Sequence, residues 1–138
     1  MKKITAAEGG NILYIPDKYL GHTLSLNAKS FFFRKYSKEH YYTNNFGWRV
    51  NFNKTKEYKF DFFIAGASLV LGTGVEFKDT IGNLLSKRIN KKIANLGVGN
   101  YSDTQILRKI DISATKTKPK VVIMLFEDLI GRNFRQSG

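Results

Sequence analysis

The stretch "FFIAGASLVLGTGV", residues 62–75, carries an unbroken apolar run from Phe62 to Ala65 that stops at Gly66. Ala67 and Ser68 follow, and then a second pair of glycines, Gly72 and Gly74. A short, continuously apolar run ending in glycine is the pattern of a strand covered on both faces. Ser68 therefore falls in the bend between a buried strand and a glycine-rich loop. In that place a serine is either ordinary turn chemistry or a nucleophile on display.

Downstream the pattern stays regular. "DTIGNLLSKRINKK" sets Ile81, Leu84, Leu85 and Ile89 at helical spacing, and Lys87, Arg88, Lys91 and Lys92 suit a helix C-terminus. "KIANLGVG" reads as a short strand running into a glycine turn. Ser102-Asp103-Thr104-Gln105 is a capping box that opens a helix, with Ile106, Leu107 and Ile110 expected to face inward. "TKTKPK" is a loop, and "VVIMLF" reads as a second fully buried strand. The order strand, helix, strand, helix, strand predicts a parallel sheet with helices packed against it.

Upstream of residue 61 no helical period is sustained. "YIPDKYLGHTLSLNAKSFFFRKYSKEHYYTNNFGWRVNF" reads as extended segments and turns, punctuated at Pro16-Asp17 and Asn45-Phe46-Gly47, with "WRVNF" as a short strand. The chain thus divides into an irregular, aromatic and basic leader, 1–60, and an α/β unit, 61–138. The leader's Phe31 to Phe33, Tyr41, Tyr42 and Trp48 fit an apolar face covering the sheet. The alternative is a stacking surface for bases between Arg34, Lys35 and Arg49.

At 138 residues the chain has the length of one domain. Its 42% hydrophobic and 14% aromatic content belongs to a chain that folds. The absence of cysteine excludes disulfides, thiolate metal sites and cysteine nucleophiles. His22 and His40 have no companion at a metal-ligand spacing. No apolar run approaches the roughly 18 residues that span a bilayer. The start "MKKITAAEGG" has a basic stretch but no apolar one behind it, so the expected location is cytoplasmic, or exported if a signal has been removed.

The net charge of +12, from 23 Lys and Arg against 11 Asp and Glu, suits a solvated lysine-rich surface. It also suits a groove for an anionic polymer; charge speaks to partners and not to fold. "GASLVLGTG" lacks the Lys-Ser/Thr ending of a phosphate-binding loop, and "GTGVEF" lacks the third glycine of a dinucleotide fingerprint, which argues against nucleotide binding. Ligands of open parallel sheets bind outside the carboxyl ends of the strands. The segments that converge there are Gly66-Ala67-Ser68, Asn95 to Tyr101, and Glu127-Asp128. Asn95 serves either the backbone at the strand end or a ligand. Glu127 and Asp128 either cap the next turn or bind a metal.

Three of these segments resemble the ordered blocks of the SGNH (GDSL-type) hydrolases. "FIAGASLVLGTGV" resembles the first block, a Gly-Asp-Ser at the end of the first strand. "NLGVGNYSDTQ" resembles the second, an Asn-x-Gly turn opening a helix. "KPKVVIMLFEDLIGRN" resembles the third-block strand. The leader is similar to the extended segment that often precedes the domain in bacterial relatives.

The resemblance implies a three-layer α/β/α, flavodoxin-like fold and a serine ester hydrolase. Its substrate would be a small acyl or acetyl ester, or an acylated carbohydrate, with no cofactor. Ser68 would be the nucleophile, and its own N–H, an N–H of Gly99 or Asn100 and a third-block Asn side chain would hold the oxyanion. A His from a late Asp-x-x-His would be the base.

This sequence departs from that pattern. Ala67 stands where the first block has Asp. "FEDL" lacks the Gly-Asn that supplies the oxyanion side chain, and neither Glu127 nor Asp128 can replace it, because an ionised carboxylate only accepts hydrogen bonds. Nothing resembling Asp-x-x-His follows the third strand. The expectation is a hydrolase domain incomplete or impaired in this chain, with "VVIMLF" left as an edge open to self-association. The rival expectation is a non-catalytic basic module for an anionic polymer such as nucleic acid, the less favoured partner.

Overall fold

The computed structural model describes residues 13–34 and 37–126, without the side chains of residues 32–34 and 37. Glu127, Asp128, the rest of the third block and Lys35 lie outside the described residues, as does the Arg34 side chain. The leader opens with a hairpin, β1 (Tyr14–Asp17) and β2 (Gly21–Leu24). Its turn is organised by Asp17, whose Oδ1 accepts from the Tyr19 and Leu20 amides at 2.8 and 2.7 Å. Three further strands follow: β3 (Lys29–Arg34), β4 (Ser37–Thr43) and β5 (Arg49–Val50).

The second half contributes β6 (Phe62–Ala65), α1 (Ser68–Leu71), a 3₁₀ turn (Phe77–Asp79), α2 (Ile81–Ile89), β7 (Ile93–Asn95), α3 (Asp103–Ala114) and β8 (Val121–Met124). The class is α/β, around a six-stranded sheet in the order β3-β4-β5-β7-β6-β8. β7, β6 and β8 run parallel, while β3, β4 and β5 join antiparallel, the junction being Arg49 opposite Asn95. The sheet is therefore mixed and not purely parallel, and the leader is not irregular. Its aromatic and β-branched residues build strands that continue the sheet, because each half-buried strand edge gains a partner.

Alternation along β6 splits the core between the two faces of the sheet. Phe63 and Ala65 join Trp48, Ala94, Leu96 and Ile106 of α3 on one side; Ile64 joins Val70, Ile93 and Leu85 of α2 on the other. Trp48 and Tyr41 are buried, so neither offers a face to a base; the side chains of Phe32 and Phe33 lie outside the described residues.

Three packing expectations are corrected. Leu84 is 53% exposed, and Ile81 and Ile89 are also exposed. α2 turns its buried Gly82 toward the sheet instead, where a methyl group would lie 2.9 Å from Ile64 Cγ2. Leu107 is 54% exposed, because the inward stripe of α3 is Ile106, Lys109, Ile110 and Ser113, with a lysine where the reading looked for a hydrophobe. β8 is not fully buried: Val121 and Val122 are exposed, and the strand forms the sheet's edge among the described residues. The capping box is present, with Ser102 Oγ accepting from the Gln105 amide and Gln105 Oε1 accepting from the Ser102 amide at 2.8 Å.

Candidate active site

The carboxyl end of β6 delivers the chain to α1, and Ser68 is the first helical residue, half-buried. Ala67 precedes it as the cap and offers no side-chain acceptor, so α1 starts without the bond an Asp, Ser or Thr would supply. Gly72 closes this single turn in a left-handed conformation, φ 80°, with its N–H on the Ser68 carbonyl. Among the described residues no hydrogen bond reaches the Ser68 hydroxyl.

The second-block loop runs alongside α1, held by Asn95. Its Nδ2 donates to the Val70 carbonyl at 2.8 Å, and its Oδ1 accepts from the Gly97 amide at 2.9 Å. Asn95 thus ties the end of β7 to both neighbouring loops, which is a backbone role. Gly97 is required by close approach: any side chain there would overlap the Leu71 amide. The positive φ expected of the glycine turn falls on Asn100 instead, at 62°, and Asn100 is exposed. Of the two oxyanion candidates, Gly99 borders the serine, since a methyl group on it would sit 3.6 Å from Ser68 Oγ.

The same point lies 2.5 Å from the Tyr14 hydroxyl, so the hairpin meets the second-block loop here. Burial raises the Tyr14 pKa, and the Gly99 amide facing the hydroxyl opposes that rise. His22, on the same hairpin face, places Nε2 2.7 Å from the Gly99 carbonyl. A carbonyl only accepts, so Nε2 carries the proton in this contact. The His22 ring meets Tyr101 edge-on at 5.0 Å, and the Tyr101 hydroxyl donates to the His22 carbonyl at 2.6 Å. Burial pushes the Tyr101 phenol up to about 12.

His40 lies elsewhere, with Nδ1 3.0 Å from Glu76 Oε1. Among the described residues no group of three or more His, Cys, Asp or Glu could hold a metal ion.

Arg49 fixes the loop that follows the serine. Arg49 is 1% exposed. Nη1 donates to the Leu71 and Gly72 carbonyls at 2.8 and 2.9 Å, and Nη2 to those of His40 and Val75 at 2.9 and 2.8 Å. The guanidinium also stacks on Tyr41 at 4.0 Å. Desolvation lowers its pKa to about 10, partly offset by Tyr41, Glu76, Glu39 and Tyr14, and it remains a cation at neutral pH. The sequence reading missed Tyr14, His22 and Arg49 as members of this site. Their contacts span long stretches of chain, which no local sequence pattern records.

The chain matches no family model, no curated protein and no solved structure. No helix of the described residues is long and apolar enough to cross a membrane.

Proposed function

We propose that the chain carries an SGNH-type ester hydrolase site, with Ser68 attacking the carbonyl of a small acyl or acetyl ester. The observation that carries this reading is the meeting of Ser68 and Gly99 at the carboxyl ends of β6 and β7. The parallel strands supply the setting. β6, the first of them in the chain, lies between β7 and β8, an order that supports the flavodoxin-like arrangement of this proposal. Such sheets bind ligands where successive connections leave the first strand in opposite directions, which is where Ser68 follows β6.

The three-layer arrangement belongs to the same proposal, as does an acylated carbohydrate among the substrates. A hydroxyl is a weak nucleophile until a base takes its proton. Neither described histidine bonds Ser68, so the expected turnover is slow. The test is hydrolysis of p-nitrophenyl acetate by the wild type and by Ser68→Ala. Loss of the slow turnover in the variant supports the reading, and unchanged turnover overturns the nucleophile assignment.

A further inference from the structure

The hairpin β1–β2 forms a fixed wall of the Ser68 site. Leu13, Leu20 and Leu24 are buried in the main core. Gln105 Nε2 donates to the Leu20 carbonyl at 2.7 Å, Arg108 Nη1 to that of Tyr19 at 3.0 Å, and Lys109 Nζ to Thr23 Oγ1 at 3.0 Å. With the Tyr101 and His22 bonds, these grip β2 and the turn. A segment held this way is not a strap that lifts off to admit a ligand.

From that wall the Tyr14 hydroxyl comes to Gly99 on the side where Ser68 Oγ also lies. The phenolic O–H of Tyr14 faces the Gly99 main-chain N–H, and Gly99 borders the serine hydroxyl. An ester carbonyl attacked by that serine develops negative charge on its oxygen, and preorganised donors aimed at that oxygen are the largest single contribution to lowering such barriers.

The geometry points to Tyr14 as the side-chain donor of this pair: its O–H and the Gly99 N–H together hold the anionic oxygen of a tetrahedral acyl or phosphonyl centre beside Ser68. The assignment rests on the reading of Ser68 as the nucleophile, and it supplies the donor that "FEDL" lacks. The oxygen replaces the Tyr14 hydroxyl as the partner of the Gly99 N–H and accepts from both groups. Tyr14 keeps its proton throughout; burial favours the neutral phenol, so at neutral pH it donates. No bond to Tyr14 forms or breaks.

Methylphosphonate, an anionic tetrahedral probe, tests the pair by titration of isotope-labelled protein while the Gly99 amide resonance is followed. Wild type and Ser68→Ala are expected to show a saturable shift of that resonance. Tyr14→Phe, which keeps the ring packing against His22, is expected to weaken binding about tenfold or more, as loss of a hydrogen bond to a charged group does. Equal affinity in Tyr14→Phe, or no saturable shift in the wild type, overturns the assignment.

Fluorotyrosine at position 14 provides an arm that keeps the side chain's shape if the phenylalanine variant does not fold. Its more acidic phenol is expected to bind the probe more tightly, and unchanged affinity overturns the assignment. The titration does not depend on a reactive serine. Methylphosphonate binding that follows Tyr14 in a protein without esterase turnover would sink the hydrolase reading and leave the donor pair standing. A reactive Ser68 with Tyr14-independent binding would do the reverse.

Discussion

Replacing Arg49 by Met removes the buried fork that ties the leader to the loop after Ser68 while keeping much of the aliphatic volume. Four carbonyls lose a charged donor, those of Leu71, Gly72, His40 and Val75. Gly72 O retains a second partner, the Val75 amide at 3.2 Å. A buried acceptor left without a donor costs about 1–3 kcal/mol. Against this stands the relief of desolvation, which is large enough to hold the Arg49 pKa near 10. Breaking a buried charged network by removing one partner typically costs about 3–5 kcal/mol.

For a domain of this size that loss corresponds to a fall in melting temperature of about 10–20 °C. It is also a large part of the roughly 5–15 kcal/mol that holds such a domain together. Arg49→Lys keeps the charge but cannot reach four carbonyls from one ammonium, so its loss is expected to be nearly as large. Calorimetry or urea unfolding of both variants measures it. A loss below about 1 kcal/mol in both, the size of an ordinary surface substitution, would refute the idea that this guanidinium organises the loop after Ser68.

Lys109, 5% exposed, has its pKa lowered to about 8 from 10.5, chiefly by desolvation and against the pull of Asp17. Between those values the unfolded chain binds the proton more tightly, so stability rises with pH through that window. Lys109→Met should remove that rise, read from urea midpoints at pH 7 and 9.5; a rise of the same size in the variant would contradict the assignment to Lys109. Gly97→Ala forces a methyl group into the α1 backbone and should cost about 3 kcal/mol or more by thermal melting; a neutral result would contradict the close approach of the two loops. Asn95→Asp replaces a donor to Val70 O by a carboxylate oxygen and should cost about 2–4 kcal/mol, whereas Asn95→Ser with a smaller loss than Asp would support the donor role.

The parallel strands, both long helices and the capping box were legible in the sequence because each is written in local periodicity or at a fixed short spacing. Lys109 shows where that reading stops. It completes the inward stripe Ile106-Lys109-Ile110-Ser113, but a polar residue carries no hydrophobic signal, so Leu107 was assigned inward in its place. The exposed face of α2 has a similar cause, since Gly82 determines which side of the helix can approach Ile64 and glycine has no weight in an amphipathic pattern. In the leader, "SFFFRK" and "EHYYT" have strand composition. Their antiparallel continuation of the sheet depends on the Arg49–Asn95 junction, a pairing between distant residues that no window of sequence contains.

The candidate site divides along the same line. Ser68 and Gly99 follow from motif order, and their proximity follows from two adjacent parallel strands. Tyr14 and His22 arrive from a hairpin whose docking is determined by Gln105, Arg108 and Lys109 on α3. The sequence reading treated that helix only as a scaffold.

The most direct test of the central claim is covalent labelling of Ser68. The protein is incubated with a fluorophosphonate, in which attack by the serine oxygen displaces fluoride, and its peptides are mapped by mass spectrometry. An adduct on Ser68 that is absent from Ser68→Ala is the predicted result. No adduct on a protein that melts cooperatively, or an adduct on another residue, would contradict the assignment of Ser68 as a nucleophile.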